Sequence, residues 1–232
     1  MAFRRGFNWG LLALLVMAAF VAGTVAAEKP VRILMLGDSL TSGLGLIKGE
    51  SLPDRLEAAL QTAVPGVAGA PPAINKRGHP VAPGARVLNA GVSGDTTAGG
   101  RSRLAWSLAA RPDALIVALG ANDGLRGLAP EQTYANLNAI LSAAKKAGLP
   151  VLLAGMRAPP NLGPEYGDAF NAVFPRLAAE HNVALYPFLL ENVVARPELN
   201  QDDGIHPNPK GVAVIVNNML PFVLKLIEQA GH

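Results

Sequence analysis

Short apolar runs alternate along the chain with longer stretches in which apolar residues return every three or four positions. Residues 31–36 are apolar apart from Arg32 and stop at Gly37, which reads as a strand buried on both faces. Similar runs at 86–88, 114–119, 151–156 and 183–185 predict four more strands. Continuous rather than alternating apolarity is what a parallel sheet covered on both sides requires, and parallel neighbours need long return connections. The expected architecture is α/β, with five parallel strands and helices on both faces.

The segments between the runs fit that role. Helices are expected over 50–62, 98–110, 131–147, 165–180 and 209–230, the second of them placing Trp106 among apolar residues. Pro130 suits a helix start, and Gly148 followed by Pro150 a stop. Pro175 and Pro221 predict interruptions, because proline removes an N–H and crowds the preceding turn. The stripes through Leu137, Ile140 and Leu141, and through Met219, Leu220 and Val223, read as core packing. Residues 64–84 are rich in Pro, Gly and Ala without a sustained period, and read as an exposed insertion rather than a separate domain.

A length of 232 residues suits one domain. Arg4 and Arg5 precede an apolar run at 11–22, and Val25, Ala26 and Ala27 supply small residues before Glu28. That is the layout of a secretory leader over 1–27, with 28–232 as the domain and a periplasmic or secreted product; an uncleaved membrane anchor is the other reading. Loss of the leader removes two arginines and no acid, which brings the formal charge of +3 close to neutral. The basic balance therefore says little about partners. Lys76, Arg77 and His79 cluster within the insertion, but no basic and aromatic track of the kind that binds nucleic acid is present. The absence of Cys excludes disulfides, thiolate nucleophiles and cysteine zinc sites without fixing the compartment.

Candidate chemistry gathers where strands are expected to end. Ser39 follows the first strand, in Gly37-Asp38-Ser39-Leu40, where a turn exposes a hydroxyl at the sheet edge and Gly37 permits a tight approach. A serine hydroxyl needs a base to become an effective nucleophile; His206 can take its proton while Asp203 orients the imidazole. Two residues lie between that pair, although either one alone is more often a surface or capping group. Gly94 lies in a loop after the second strand and Asn122 in Gly120-Ala121-Asn122-Asp123-Gly124 after the third. The Gly94 N–H, the Asn122 side-chain amide and the Ser39 N–H can meet an oxyanion at the carboxyl edge of the sheet. Asp38 and Asp123 read as loop supports, and His79, His181 and His232 lack a ligand constellation.

These four ordered blocks, around Ser39, Gly94, Asn122 and Asp203 to His206, resemble those of the GDSL or SGNH hydrolases over residue 31 to the C-terminus. The Gly-x-Ser-x-Gly elbow of the common α/β-hydrolases is absent. The resemblance is to the secreted bacterial branch of acyl thioesterases, lysophospholipases and arylesterases, and the insertion at 64–84 is longer than that pattern usually carries. It implies a three-layer, flavodoxin-like fold, Ser39 as nucleophile with Asp203 and His206, and an oxyanion hole of Ser39, Gly94 and Asn122. It also offers Arg157, Pro159, Asn161, Leu162, Tyr166 and Phe170 as a candidate substrate loop, although Tyr166 and Phe170 taken singly read first as ordinary packing. Arylesterase activity is expected on aryl or acyl esters, overlapping with acyl thioesters or lysophospholipids. Such chemistry requires no cofactor or metal. Transient membrane contact is compatible with it, and neither nucleic acid nor an obligate protein partner is implied. Deacetylation of a carbohydrate, or an exported module that binds without turnover, are the alternatives.

Overall fold

The computed structural model describes residues 29–63 and 85–230. The expectations for a leader at 1–27, an insertion at 64–84 and His232 lie outside the described residues. Five strands form one parallel sheet: β1 (Arg32–Gly37), β2 (Arg86–Gly91), β3 (Ala114–Ala118), β4 (Val151–Ala154) and β5 (Ala184–Tyr186), in the order β2-β1-β3-β4-β5. Residues of β3 and β4 are buried throughout, as continuous apolar runs demand. The edge strand β2 alternates more and continues three residues past its apolar run, to Gly91, paired with Gly37 of β1.

Because the chain goes from β1 outward to β2 and then returns past β1 to β3, right-handed crossovers put the first return helix on the opposite face from the next ones. Accordingly α2 (Leu52–Ala63) packs with the C-terminal helix α7 (Pro209–Ala230), whereas α3 (Thr97–Leu108), α5 (Pro130–Lys146) and α6 (Pro164–His181) pack in sequence. Two short helices lie in the loops at the carboxyl edge, α1 (Ser39–Ser42) and α4 (Ala121–Leu125). At four and five residues they carry too little periodicity to be read from sequence.

Neither internal proline interrupts its helix. α6 runs through Pro175 and α7 through Pro221. The loss of one backbone bond and the ring clash cost about 3 kcal/mol, whereas each fully buried large apolar side chain returns about 1.5–3 kcal/mol. Phe170, Val173, Phe174 and Leu177 supply that burial in α6, and Val212, Ile215, Met219, Val223 and Leu226 in α7. Leu137, Ile140 and Leu141 are core residues, as are Met219 and Val223, with Leu220 partly buried beside them. Trp106 departs from expectation: the buried stripe of α3 is Thr97, Gly100, Leu104 and Ser107, which turns Trp106 outward at 80% exposure. Among the described residues, α7 alone is long and apolar enough to cross a membrane; here it buries its stripe against the sheet and α2.

Candidate active site

The switch point of this topology lies between β1 and β3, where successive crossovers leave in opposite directions and a crevice opens beyond the carboxyl ends of the strands. Ser39 sits there as the first residue of α1. Asp38 caps that helix, its Oδ1 accepting the Leu40 N–H at 3.0 Å. Gly37 makes room, since a Cβ at this position would collide with the Thr41 side chain. The Ser39 side chain is largely buried, and its Oγ lies 2.8 Å from His206 Nε2.

His206 arrives from the loop before α7, and its Nδ1 stands 2.6 Å from Asp203 Oδ2. The other Asp203 oxygen accepts the N–H groups of Ile205 and His206, each at 2.9 Å. One carboxylate therefore folds its own loop and orients the imidazole. The His206 N–H, then the His206 ring and then the Ile205 N–H hold this carboxyl down to about 2, which favours its ionised form. Gln201 closes the loop: its N–H donates to His206 O at 2.8 Å, and its side-chain amide donates to Leu44 O at 2.8 Å and Pro207 O at 3.0 Å.

Gly94 has a φ of 82°, a left-handed conformation that favours glycine, and the loop is tied to α1 through the Ser42 and Ser93 hydroxyls, 2.9 Å apart. Asn122 reaches the same loop and donates from Nδ2 to Asp95 O at 3.0 Å. A side-chain amide has two hydrogens, so one remains for a ligand. Among the described residues, no protein acceptor takes the N–H of Ser39 or of Gly94. The expected residues Ser39, Gly94, Asn122, Asp203 and His206 therefore meet at one edge.

The loop after β4 divides. Pro159 and Leu162 lie beside the asparagine loop, with Pro159 Cδ 3.6 Å from where a Cβ on Gly124 would stand and Leu162 Cδ2 3.8 Å from the equivalent point on Gly127. Asn161 is exposed at the tip. Tyr166 donates to Leu128 O at 2.9 Å and stacks on Phe170. Arg157 lies over the Phe188 ring, with its Nη2 3.8 Å from Glu191, on the β5 side. Phe170 corrects the expectation of apolar surface for a substrate: it is wholly buried against Phe174 and beneath Gly124, a core residue.

Asp38 and Asp123 are loop supports as expected, the latter with other partners, and Arg103 is one that was not foreseen. Asp123 is buried, but it receives the Thr97 N–H and hydroxyl and the Thr133 hydroxyl, so it pins the starts of α3 and α5 rather than gripping Asn122. Arg103 donates to Asp95 Oδ2 at 2.6 Å and to the carbonyls of Ala90 and Gly37, each at 2.7 Å. One guanidinium thus joins the ends of β1 and β2 to the loop that carries Gly94. The signal was present in helical spacing: Arg103 adjoins the Gly100, Leu104 and Ser107 stripe, where a charge has to find partners. Burial pushes the Asp38 carboxyl up to about 6, against the opposing Leu40 N–H, and its Oδ2 has no protein donor among the described residues.

A parallel α/β/α sheet with serine, histidine and carboxylate linked at its carboxyl edge defines the chain as a serine hydrolase. It belongs to the GDSL-like lipase/acylhydrolase family, whose pattern matches residues 35–214. It is 36% identical over 201 residues to the arylesterase of Vibrio mimicus, covering 86% of this chain and 92% of that one. It is 38% identical over 210 residues to thioesterase 1/protease 1/lysophospholipase L1 of Escherichia coli K12, covering 90% and 88% respectively. The crystal structure of AlinE4, an SGNH-hydrolase family esterase, superposes with a TM-score of 0.66 at 42% identity over 85% of this chain and 97% of that one. The chain is a serine esterase.

Proposed function

We infer that the protein is an exported arylesterase whose activity extends to acyl thioesters and lysophospholipids, acting through an acyl-enzyme on Ser39. The observation that carries this reading is the Ser39–His206–Asp203 chain of hydrogen bonds, 2.8 and 2.6 Å long, lying beside uncommitted N–H groups. The names of the two relatives support the substrate range. The arginines and apolar run before Glu28 support export.

In this reading Ser39 Oγ bonds to the substrate carbonyl carbon while His206 Nε2 takes the hydroxyl proton. Negative charge on the former carbonyl oxygen meets the N–H groups of Ser39 and Gly94 and the free hydrogen on Asn122 Nδ2. Collapse expels the alcohol or thiol, which takes the proton from His206, and leaves an ester on Ser39. Water then gives a proton to His206 and attacks that ester, and the second collapse releases the acid and returns the proton to Ser39. Asp203 stabilises the imidazolium at each stage.

The test is a rapid-mix assay with aryl acetate, butyrate and octanoate, followed by an acyl thioester, a lysophospholipid and an acetylated sugar. A leaving-group burst of one equivalent per protein, absent from Ser39→Ala, is expected on esters whose deacylation is slow. Release no faster than in Ser39→Ala across the aryl and thioester panel overturns the substrate range and favours sugar esters or binding without turnover.

A further inference from the structure

Seven large apolar side chains are exposed among the described residues, and they are not scattered. Leu44 and Ile47 lie on the loop after the nucleophile helix, Val92 on the loop of Gly94, Leu125 on the helix of Asn122 and Ile205 beside His206. These loops touch in turn. Gln201 joins the Ile205 loop to the Leu44 carbonyl, Ser42 meets Ser93 beside Val92, and Arg126 donates to Gly94 O at 2.9 Å from the residue after Leu125. The five residues thus stand on linked loops around Ser39, which together make a rim. Of the remaining two, Val194 lies on the turn after β5, and Trp106 near the end of α3, at the opposite edge of the sheet. A clustered apolar rim, unlike single exposed residues, marks an interaction surface.

We propose that this rim seats the opening of the site on a zwitterionic phospholipid surface, so that an acyl chain passes from lipid to Ser39 without crossing water. The inference rests on the esterase reading above and adds where its substrate is met. The charges between the apolar residues select the occupant: Lys48 and Arg126 face Glu50, Asp202 and Asp203, a near balance with no basic excess. Such a balance suits a layer carrying both phosphate and ammonium and gives no net attraction to a strongly anionic one. Ile47 is the most exposed member at 72%, on a turn closed by the Glu50 N–H to Ile47 O bond, with Lys48 beside it. An apolar tip with a neighbouring lysine lets the side chain enter the acyl boundary while the ammonium stays at headgroup level.

The test measures co-sedimentation of the exported protein with dioleoylphosphatidylcholine vesicles, with all variants sharing one N-terminus. Wild type partitions measurably; Ile47→Asp lowers the partition coefficient about tenfold or more, Ile47→Trp raises it with a blue-shifted emission, and Trp106→Asp leaves it unchanged. Turnover of water-soluble aryl acetate is unchanged in Ile47→Asp, because Ile47 lies outside the reacting groups. Failure of wild type to sediment, or equal losses in Ile47→Asp and Trp106→Asp, overturns the proposal. A lipid-free dimer that Ile47→Asp dissolves, without vesicle partition, overturns it in favour of a second copy as the occupant. Loss of aryl acetate turnover in wild type would sink the esterase reading instead, since partition is read without catalysis.

Discussion

The turn at 37–42 and the loop at 201–207 supply the two ends of one 2.8 Å hydrogen bond, and opposite means hold them in place. In the turn, Asp38 and Thr41 are wholly buried, and Arg103 fastens the Gly37 carbonyl from below. The loop lies in solvent, its Asp203 side chain 44% exposed, and owes its shape to hydrogen bonds among its own residues and Gln201. Burial fixes a nucleophile by leaving it nowhere else to go. A local hydrogen-bonded loop fixes a base while leaving the carboxylate solvated and ionised, which an imidazolium partner needs. Removing the hydroxyl of the proposed nucleophile is the extreme way to break the turn side. Ser39→Ala is expected to lower kcat roughly 10⁴–10⁶-fold with an unchanged thermal transition, read by aryl ester turnover and circular dichroism.

On the loop side, Asp203→Asn separates the carboxylate's two duties. The amide oxygen can still accept the Ile205 and His206 N–H groups, so the loop keeps its shape, but the amide nitrogen faces Nδ1 and imposes the wrong tautomer. A loss of about 10⁴ in kcat with a near-native transition temperature is expected. Arg103→Met tests the buried side, because displacing reacting groups by about 1 Å can cost about 10²-fold. Free guanidinium added to that variant should restore part of kcat, with KM little changed. Gln201→Ala tests the exposed side and should cost less, about tenfold, since each of its two side-chain bonds contributes about 1 kcal/mol net. If Gln201→Ala proves the more damaging of the two, the contrast between the supports is wrong.

The same contrast explains what could be read in the sequence. Strands and long helices were legible because burial on both faces leaves continuous apolar runs, and Ser39, Gly94 and Asn122 were legible because each follows such a run. The spacing of Asp203 and His206 only allowed a pair in one loop, and the resemblance of the four blocks gave the two residues their roles. What escaped were supports defined by partners distant in sequence: Arg103, which finds Gly37 66 positions away, and Gln201, which finds Leu44 157 away. Prolines misled because local cost was visible and tertiary burial was not. Phe170 misled in the other sense, since a position in a loop-adjacent helix says nothing about which way its side chain faces.

Asp38 offers the finest test, because its burial acts on stability more than on rate. Its carboxyl is raised from the ordinary 3.8 to about 6 chiefly by loss of water, so the folded protein holds a proton there that the unfolded chain releases. Stability therefore falls as pH rises from about 4 to about 6 and stays reduced above, the reverse of a salt-bridged acid. Asn at this position keeps an oxygen for the Leu40 N–H and carries no charge to desolvate. Asp38→Asn should match wild type near pH 4 and exceed it at pH 8 by on the order of 2–3 kcal/mol, with kcat within about tenfold. Denaturant melts at both pH values give the answer. Equal stabilities at pH 8 would mean that a donor unseen in the fold already satisfies Oδ2, and the turn would then be held by a hydrogen-bond network like that of the loop facing it.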